Sequence, residues 1–210
     1  MKEDEAQDWL ATQCHVSLET LAKLAHFHAL LTTASAAQNL VSASTLDHIW
    51  ARHIVDSAQL LLFAERKSGD TWLDLGTGAG FPGLVIAILD QQPIHLVEER
   101  RGRIAFLNDM VSTLGLSHCT VHGCKIQALD LPPVSVISAR AFAPLPKLFS
   151  LAHSFSTAKT RWLLPKGKSA QAELESLHGS WHGVFHVKQS VTDADAAILV
   201  GTDVKRAKAT

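Results

Sequence analysis

From Trp72 to Ile88 the chain reads WLDLGTGAGFPGLVIAI: an apolar run holding one carboxylate, Asp74, then four glycines within eight residues, then a second apolar run. Glycines so placed let a ligand approach bare backbone at the start of a helix, where unpaired N–H groups face outward. Gly76, Gly78 and Gly80 are therefore candidate ligand contacts, with Phe81 directly after them and Asp74 just before. Glu98 closes the next apolar run, IHLVE, where a carboxylate is placed to accept hydrogen bonds from both hydroxyls of a ribose. A third group, His53, Asp56 and Ser57, lies three and four residues apart on one helical face. A serine nucleophile needs a strained turn and an oxyanion hole, which a mid-helix serine lacks. Two readings of that face stay open: an interhelical hydrogen-bond network, or a wall of the substrate crevice. No metal site is expected, because Cys14, Cys119 and Cys124 form no CxxC pair and His26 and His28 point to different sides of a helix.

The elements that must position these residues follow from pattern. The chain has 210 residues, 47% of them apolar, enough for one α/β domain with a small extra element and too short for two catalytic domains. With 19 basic and 20 acidic residues the net charge is -1, so any grip on nucleic acid has to come from a local patch. The start, MKEDEAQDWL, carries no apolar signal-peptide core, and no run approaches the roughly 20 apolar residues that span a bilayer. A cytoplasmic protein with free thiols is expected. Residues 1–67 read as a helical cap, with apolar positions at three- and four-residue spacing in LETLAKLAHFHALL and in TLDHIWARHIVDSAQLLLFAE. Residues 68–210 alternate short strand-like runs with helix-like ones, which predicts a doubly wound parallel sheet covered on both faces. GVFHVKQSV and AAILVGT predict an antiparallel hairpin at one edge. The whole is read as a single domain, 1–210.

In such a sheet ligands bind outside the carboxyl ends of the strands. Gly78, Gly80 and Gly83 fit the dinucleotide pattern GxGxxG, with an acid about 20 residues on. Asp74 through Gly80 fit equally the Asp-x-Gly-x-Gly-x-Gly loop of methyltransferases that use S-adenosylmethionine. An acid at the strand end repels pyrophosphate but suits a ligand bearing a sulfonium and an ammonium, so the methyl donor is favoured. A nicotinamide-dependent oxidoreductase is the enzyme alternative, and a non-catalytic RNA-binding or ribosome-assembly module the other. Arg100, Arg101, Arg103, Lys159, Arg161, Lys166 and Lys168 are expected to share one phosphate-binding rim, and Phe142, Phe81 or Trp50 to stack a splayed base.

Several fragments carry a closer likeness: NLVS at 39–42, RHIVDS at 52–57, DLGTGAGFPG at 74–83, LVEERRGRIAFL at 96–107, ARAFAPL at 139–145 and PKGK at 165–168. Together they resemble the small-subunit ribosomal RNA methyltransferase G family, also called glucose-inhibited division protein B, over roughly residues 15 to 200. The resemblance implies the class I methyltransferase (Rossmann-like) fold and S-adenosyl-L-methionine as cofactor. It implies methylation of ring nitrogen 7 of a guanine in the 530 loop of bacterial 16S ribosomal RNA, on the small subunit or its precursor. Cofactor contacts then fall on Gly76, Phe81, Glu98, Ile126, Gln127 and Arg140. Where the family tends to have Arg-x-Glu this chain has Lys125-Ile126-Gln127, Gly102-Arg103 replaces a common lysine-arginine pair, and Ser135 stands where an acid is common. Nitrogen 7 offers a free lone pair, so no catalytic acid or base is expected, and His53, Asp56 and Ser57 are substrate-side candidates. A monomer is the expected state.

Overall fold

The computed structural model describes residues 1–207, apart from the side chains of Ala43 and Ser44; the last three residues of the expected core lie outside the described residues. The N-terminal periodicity becomes Ala6–Gln13 (α1) and Leu18–Gln38 (α2). Ser17 caps α2 by accepting the Thr20 N–H, and Asn39 ends it in the left-handed region at φ 49°. The stretch expected as one helix from Thr45 to Glu65 is instead Ala43–Leu46 (α3), a π-helical turn at Trp50–Val55, Asp56–Ala58 (α4) and Leu61–Ala64 (α5). A remote partner helps to break it: the Glu3 carboxylate accepts the N–H groups of Trp50 and Ala51 at 2.8 and 2.9 Å.

The alternating part follows the expected order. It runs Trp72–Leu75 (β1), Gly83–Leu89 (α6), Ile94–Val97 (β2), Arg101–Thr113 (α7), Cys119–His122 (β3), Val136–Ala139 (β4), Leu145–Ala152 (α8), Arg161–Lys166 (β5), Ala170–Glu175 (α9), Trp181–Gln189 (β6) and Ala197–Arg206 (β7). The sheet order is β3-β2-β1-β4-β5-β7-β6. β1 to β5 pair in parallel, while β7 runs antiparallel between β5 and β6, forming the expected edge hairpin. All four residues of β1 are buried, as a central strand covered on both faces requires.

Alternation along β1 assigns the two faces. Trp72 joins the cluster containing Leu24, Phe27, Leu31, Ile54, Leu84 and Phe106, under the N-terminal helices, α6 and α7. Leu73 and Leu75 join the opposite cluster with Ile137, Leu148, Phe149, Trp162 and Trp181. Asp74 shares the Trp72 face, so its side chain points towards α6. Register does the rest. Leu75 pairs with Val97 on one side and Ala139 on the other, which sets Gly76, Glu98 and Arg140 at three adjacent strand ends. No helix among the described residues is long and apolar enough to cross a membrane.

Candidate active site

The glycine loop is held from below by Asp74, which is fully buried. Its Oδ1 accepts from the Ser138 hydroxyl at 2.6 Å, and its Oδ2 from the Thr77 hydroxyl at 2.7 Å and the Gly83 N–H at 3.0 Å. Ser138 in turn accepts the indole N–H of Trp72 at 2.8 Å. One carboxylate thus ties β1, β4, the loop and the first turn of α6 together. Burial pushes its pKa up to about 6, against the pull of Ser138, Thr77, Gly83 and the Arg140 charge. A side chain at Gly83 would lie 2.3 Å from Leu96 and 2.7 Å from Asp74 itself, so only glycine lets the helix start there.

Above the loop lies a cleft of about 410 Å³, lined by Gly76, Glu98, Arg103, Ile126, Gln127, Phe142 and Leu151 among others. Gly76 has φ 67°, and a Cβ there would sit 2.6 Å from the Phe142 ring, so bare backbone and an aromatic edge meet at this wall. Glu98 is pinned rather than free. Its Oε1 accepts the N–H groups of Glu99 and Arg100, each at 2.9 Å, and its Oε2 the Gly78 N–H at 3.0 Å, with Arg103 Nη1 at 3.8 Å. A carboxylate has about four lone-pair sites, so Glu98 keeps room for one further donor rather than the two hydroxyls expected. The donor set fits an adenosine: an acceptor at the second strand end for the ribose, apolar Ile126, Phe142 and Leu151 for the base, and no phosphate-binding lysine from the loop itself.

A second constellation forms on the other side of the β4 end. Arg140 Nη1 donates to His53 Nδ1 at 2.9 Å and stands 3.5 Å from Asp56 Oδ2. The His53 ring stacks on Phe81 with centroids 4.7 Å apart, and the guanidinium lies 5.2 Å from the same ring. Arginine can only donate, so Nδ1 accepts and the neutral imidazole carries its proton on Nε2. That Nε2 is buried without a hydrogen-bond partner among the described residues. Burial, then the Arg140 and Arg52 charges, lower the His53 pKa to about 3. Asp56 Oδ1 accepts from Gln59 at 2.9 Å and Thr192 at 3.2 Å, and burial raises its pKa against the Arg140 charge and those hydrogen bonds. Ser57 donates to the His53 carbonyl at 2.6 Å, while the imidazole has Arg140 on Nδ1 and no partner on Nε2, so His53 and Ser57 form no nucleophilic relay among the described residues. Asp56 and Arg140 line a second cavity of about 670 Å³, with Phe142, Pro144, Pro165 and Lys166.

His53 has a consequence for stability. The unfolded chain protonates it near 6.5 while the fold holds it near 3. Its contribution is therefore complete above pH 6.5 and is lost as pH falls towards 3, at up to about 1.4 kcal/mol per pH unit. His53→Gln should abolish this proton linkage, so urea unfolding at pH 7.5 and pH 5 should show a smaller acid loss than in the parent chain.

The structure therefore gathers Gly76, Glu98, Ile126 and Gln127 at the first cleft. Gly78 touches it through its N–H bond to Glu98. Asp74, Gly80 and Phe81 are buried beneath, and Arg140 faces the second cavity instead. Of the expected basic rim, Arg100 and Arg103 border the first cleft and Lys166 the second. Lys159 and Arg161 do not belong to it: they line a hollow with Lys67 and Asp70 at the amino end of β5, away from the ligand end of the strands. Trp50 is core, packed edge-on against His28. Phe142, one of the three rings expected to stack a base, walls both cavities, and Leu151 and Lys147 line the first with it; none of this has a signal in local spacing.

The parallel sheet closed by an antiparallel hairpin, with its glycine loop at the carboxyl ends, is the class I fold of S-adenosylmethionine-dependent methyltransferases. A SAM-dependent methyltransferase from Aquifex aeolicus superposes with a TM-score of 0.59, covering 80% of this chain and 97% of that one at 16% identity. A glycopeptide N-methyltransferase solved with S-adenosyl-L-methionine gives 0.58 over 71% and 94% at 9% identity. In sequence, the family described as rRNA small subunit methyltransferase G matches residues 20–198. The ribosomal RNA small subunit methyltransferase G of Novosphingobium aromaticivorans is 51% identical over 201 residues, covering 95% of this chain and 87% of that protein. The protein of the same name from Sphingopyxis alaskensis is 48% identical over 200 residues, covering 95% and 86%. The chain belongs to the rRNA small subunit methyltransferase G family.

Proposed function

We propose that this chain transfers the methyl group of S-adenosyl-L-methionine to ring nitrogen 7 of a guanine in the 530 loop of 16S ribosomal RNA. Beside family membership, the observation that carries the reading is the meeting of two cavities at one strand end: Ala141, Phe142 and Ala143 line both. Bound in the first cleft, the cofactor supplies an electrophilic methyl group on a sulfonium. Gly76 offers its backbone, Glu98 accepts from the ribose, and Ile126 and Gln127 border the adenine, through backbone groups that the family's missing acid does not remove. Nitrogen 7 needs no deprotonation, so the side chains have no proton to move. What they contribute is alignment, which supplies about 7–11 kcal/mol of barrier lowering when geometry is near-attack.

The helical cap and the sheet are read as one domain, supported by a single apolar cluster that runs from Leu10 through Phe27 and Leu84 to Val200. A cytoplasmic monomer acting on the small subunit or its precursor is the simplest setting for this reading. Labelled S-adenosylmethionine, offered with small subunits from cells lacking the enzyme, should mark one guanine of the 530 loop at nitrogen 7. Label elsewhere, or none, overturns the proposal, and calorimetry with a nicotinamide cofactor should show no binding.

Arg100 and Arg103 flank the mouth of the first cleft together with Lys125 and Lys147, and Arg101 opens the next helix. RNA affinity should fall steeply with salt while cofactor affinity barely moves. Replacing both Arg100 and Arg101 by glutamine should reduce the slope of log affinity against log salt by about 1.4–1.8, at about 0.7–0.9 for each phosphate no longer neutralised. An unchanged slope places the RNA on another face.

A further inference from the structure

The second cavity lies behind Phe142, and its wall holds a particular pair of polar groups. Asp56 and Arg140 face it from the helical cap and from the end of β4, with Phe142, Pro144 and Pro165 as apolar sides. We propose that this cavity receives the target guanine, drawn out of its stack, and that Arg140 and Asp56 read its Watson–Crick edge: Arg140 donating to O6, Asp56 accepting from N1–H and the 2-amino group. The inference rests on the proposed function and specifies where its substrate base binds and which residues select it.

Three features support it. The first is position. Nitrogen 7 has to meet a methyl group in the first cleft, and this cavity shares Ala141, Phe142 and Ala143 with that cleft. Ala141 sits at φ 52°, between an Arg140 that faces the second cavity and a Phe142 ring that lies against Gly76. The second is unused capacity. The guanidinium reaches its protein partners, His53 and Asp56, through Nη1, leaving its other N–H groups to donate. Oδ1 of Asp56 already accepts from Gln59 and Thr192, whereas Oδ2 has only the long 3.5 Å approach of Arg140. A free acceptor thus stands beside free donors.

The third feature is complementarity. Guanine presents an acceptor at O6 followed by donors at N1 and the 2-amino group, and adenine presents a donor followed by an acceptor, so the same wall opposes adenine. Holding guanine by this edge leaves nitrogen 7 uncovered on the adjoining Hoogsteen edge, next to O6. Methylation there makes the purine cationic and its N1–H a stronger donor, which strengthens the hydrogen bond to the Asp56 carboxylate. Extruding a base costs unstacking, which stacking on an aromatic wall offsets, and Phe142 supplies the ring. His53 acts one step back. As a neutral acceptor it holds Nη1 of Arg140, so it positions the reading group without touching the base.

The test uses small subunits reconstituted with 16S RNA carrying either guanosine or inosine at the target position. Inosine keeps O6, N1–H and nitrogen 7 but lacks the 2-amino donor. The parent enzyme should methylate inosine with kcat/KM lowered about tenfold or more, the worth of one hydrogen bond to a charged group. Asp56→Ala should lower the rate on guanosine comparably and erase most of the difference between the two RNAs, while calorimetry shows S-adenosylmethionine binding retained. A parent enzyme indifferent to inosine overturns the proposal even if the variant fails to fold. So does an Asp56→Ala loss that leaves the inosine penalty intact, which would assign the cavity to RNA backbone or to packing. Absence of transfer to guanosine subunits by the parent enzyme would instead overturn the proposed function itself.

Discussion

Replacing Asp74 by alanine should destabilise the fold by about 3–5 kcal/mol and remove cofactor binding with it. The residue is fully buried and its two oxygens take the Ser138 and Thr77 hydroxyls and the Gly83 N–H. Each donor left without an acceptor away from water costs about 1–3 kcal/mol. The hydroxyls can rotate, and Thr77 already lies 3.3 Å from the Asp74 carbonyl, which caps the total below the sum of three. The Gly83 N–H is fixed by the helix and cannot turn. Guanidinium denaturation should show the loss directly. A change under about 1 kcal/mol would mean the loop is held by its glycine turns alone.

Asp74→Asn separates shape from charge. The amide can keep an oxygen towards Thr77 and Gly83 and turn its nitrogen to Ser138, so its cost should be small. Its pH behaviour should differ in sign from that of most carboxylates. The folded pKa of Asp74 is raised to about 6 from the usual 3.8. The ionised form is therefore the penalised one: the fold loses about 3 kcal/mol as pH rises through this interval and recovers it as pH falls. This opposes the acid loss caused by His53 between pH 6 and 4, so the parent chain should look flatter there than either single variant. Asp74→Asn should weaken on acidification more than the parent does.

The role of Asp74 shows where reading the sequence falls short. A carboxylate at a strand end beside glycines looks like a ligand group, and spacing alone assigns it as one. Strand alternation already hints otherwise, since Trp72 and Asp74 must share a face and Trp72 has to be covered. What closes the case is Ser138, 64 residues away in sequence, which only the β1–β4 register brings opposite. The strands themselves were legible because short apolar runs covered on both faces leave few alternatives. The edge hairpin was legible because two β-rich runs flank TDADA. The break at Trp50–Val55 was not, because Glu3 acts on it across 47 and 48 residues and leaves no mark on local periodicity.

The ligand end was partly legible for a similar reason. Gly76, Glu98, Ile126 and Gln127 follow strands or strand-end turns, so motif and topology agree on them. Arg140 also follows a strand, but which side of the β4 end its side chain takes depends on the left-handed Ala141 that follows and on His53 and Asp56 waiting in the cap. The basic run offers charge and nothing else. Charge says nothing about which end of β5 a lysine occupies, and Lys159 and Arg161 fall at the wrong end for a shared rim.

Glu98→Ala should weaken S-adenosylmethionine binding by about ten- to a hundredfold while leaving the second cavity intact. The carboxylate accepts three backbone N–H groups, from Gly78, Glu99 and Arg100, and so sets the loop and the start of α7 at once. It also offers the acceptor proposed for the ribose. Hydrogen bonds to a charged group contribute about 1.5–3 kcal/mol each, and every 1.4 kcal/mol is a factor of ten. The freed N–H groups border an open cleft and can take water, so the stability cost should stay well below that of Asp74→Ala. Glu98→Gln should fall between: one oxygen still serves Glu99 and Arg100, but the amide nitrogen meets the Gly78 N–H and Arg103 rather than accepting from them. His53→Ala should leave cofactor affinity within a few-fold and slow single-turnover transfer, because Arg140 loses the acceptor that holds it. Calorimetry with the cofactor and quenched-flow transfer to small subunits read the two effects apart. Normal cofactor binding by Glu98→Ala would move the cofactor out of the first cleft. Transfer at the parent rate by His53→Ala would reduce the stack of His53, Phe81 and Arg140 to packing.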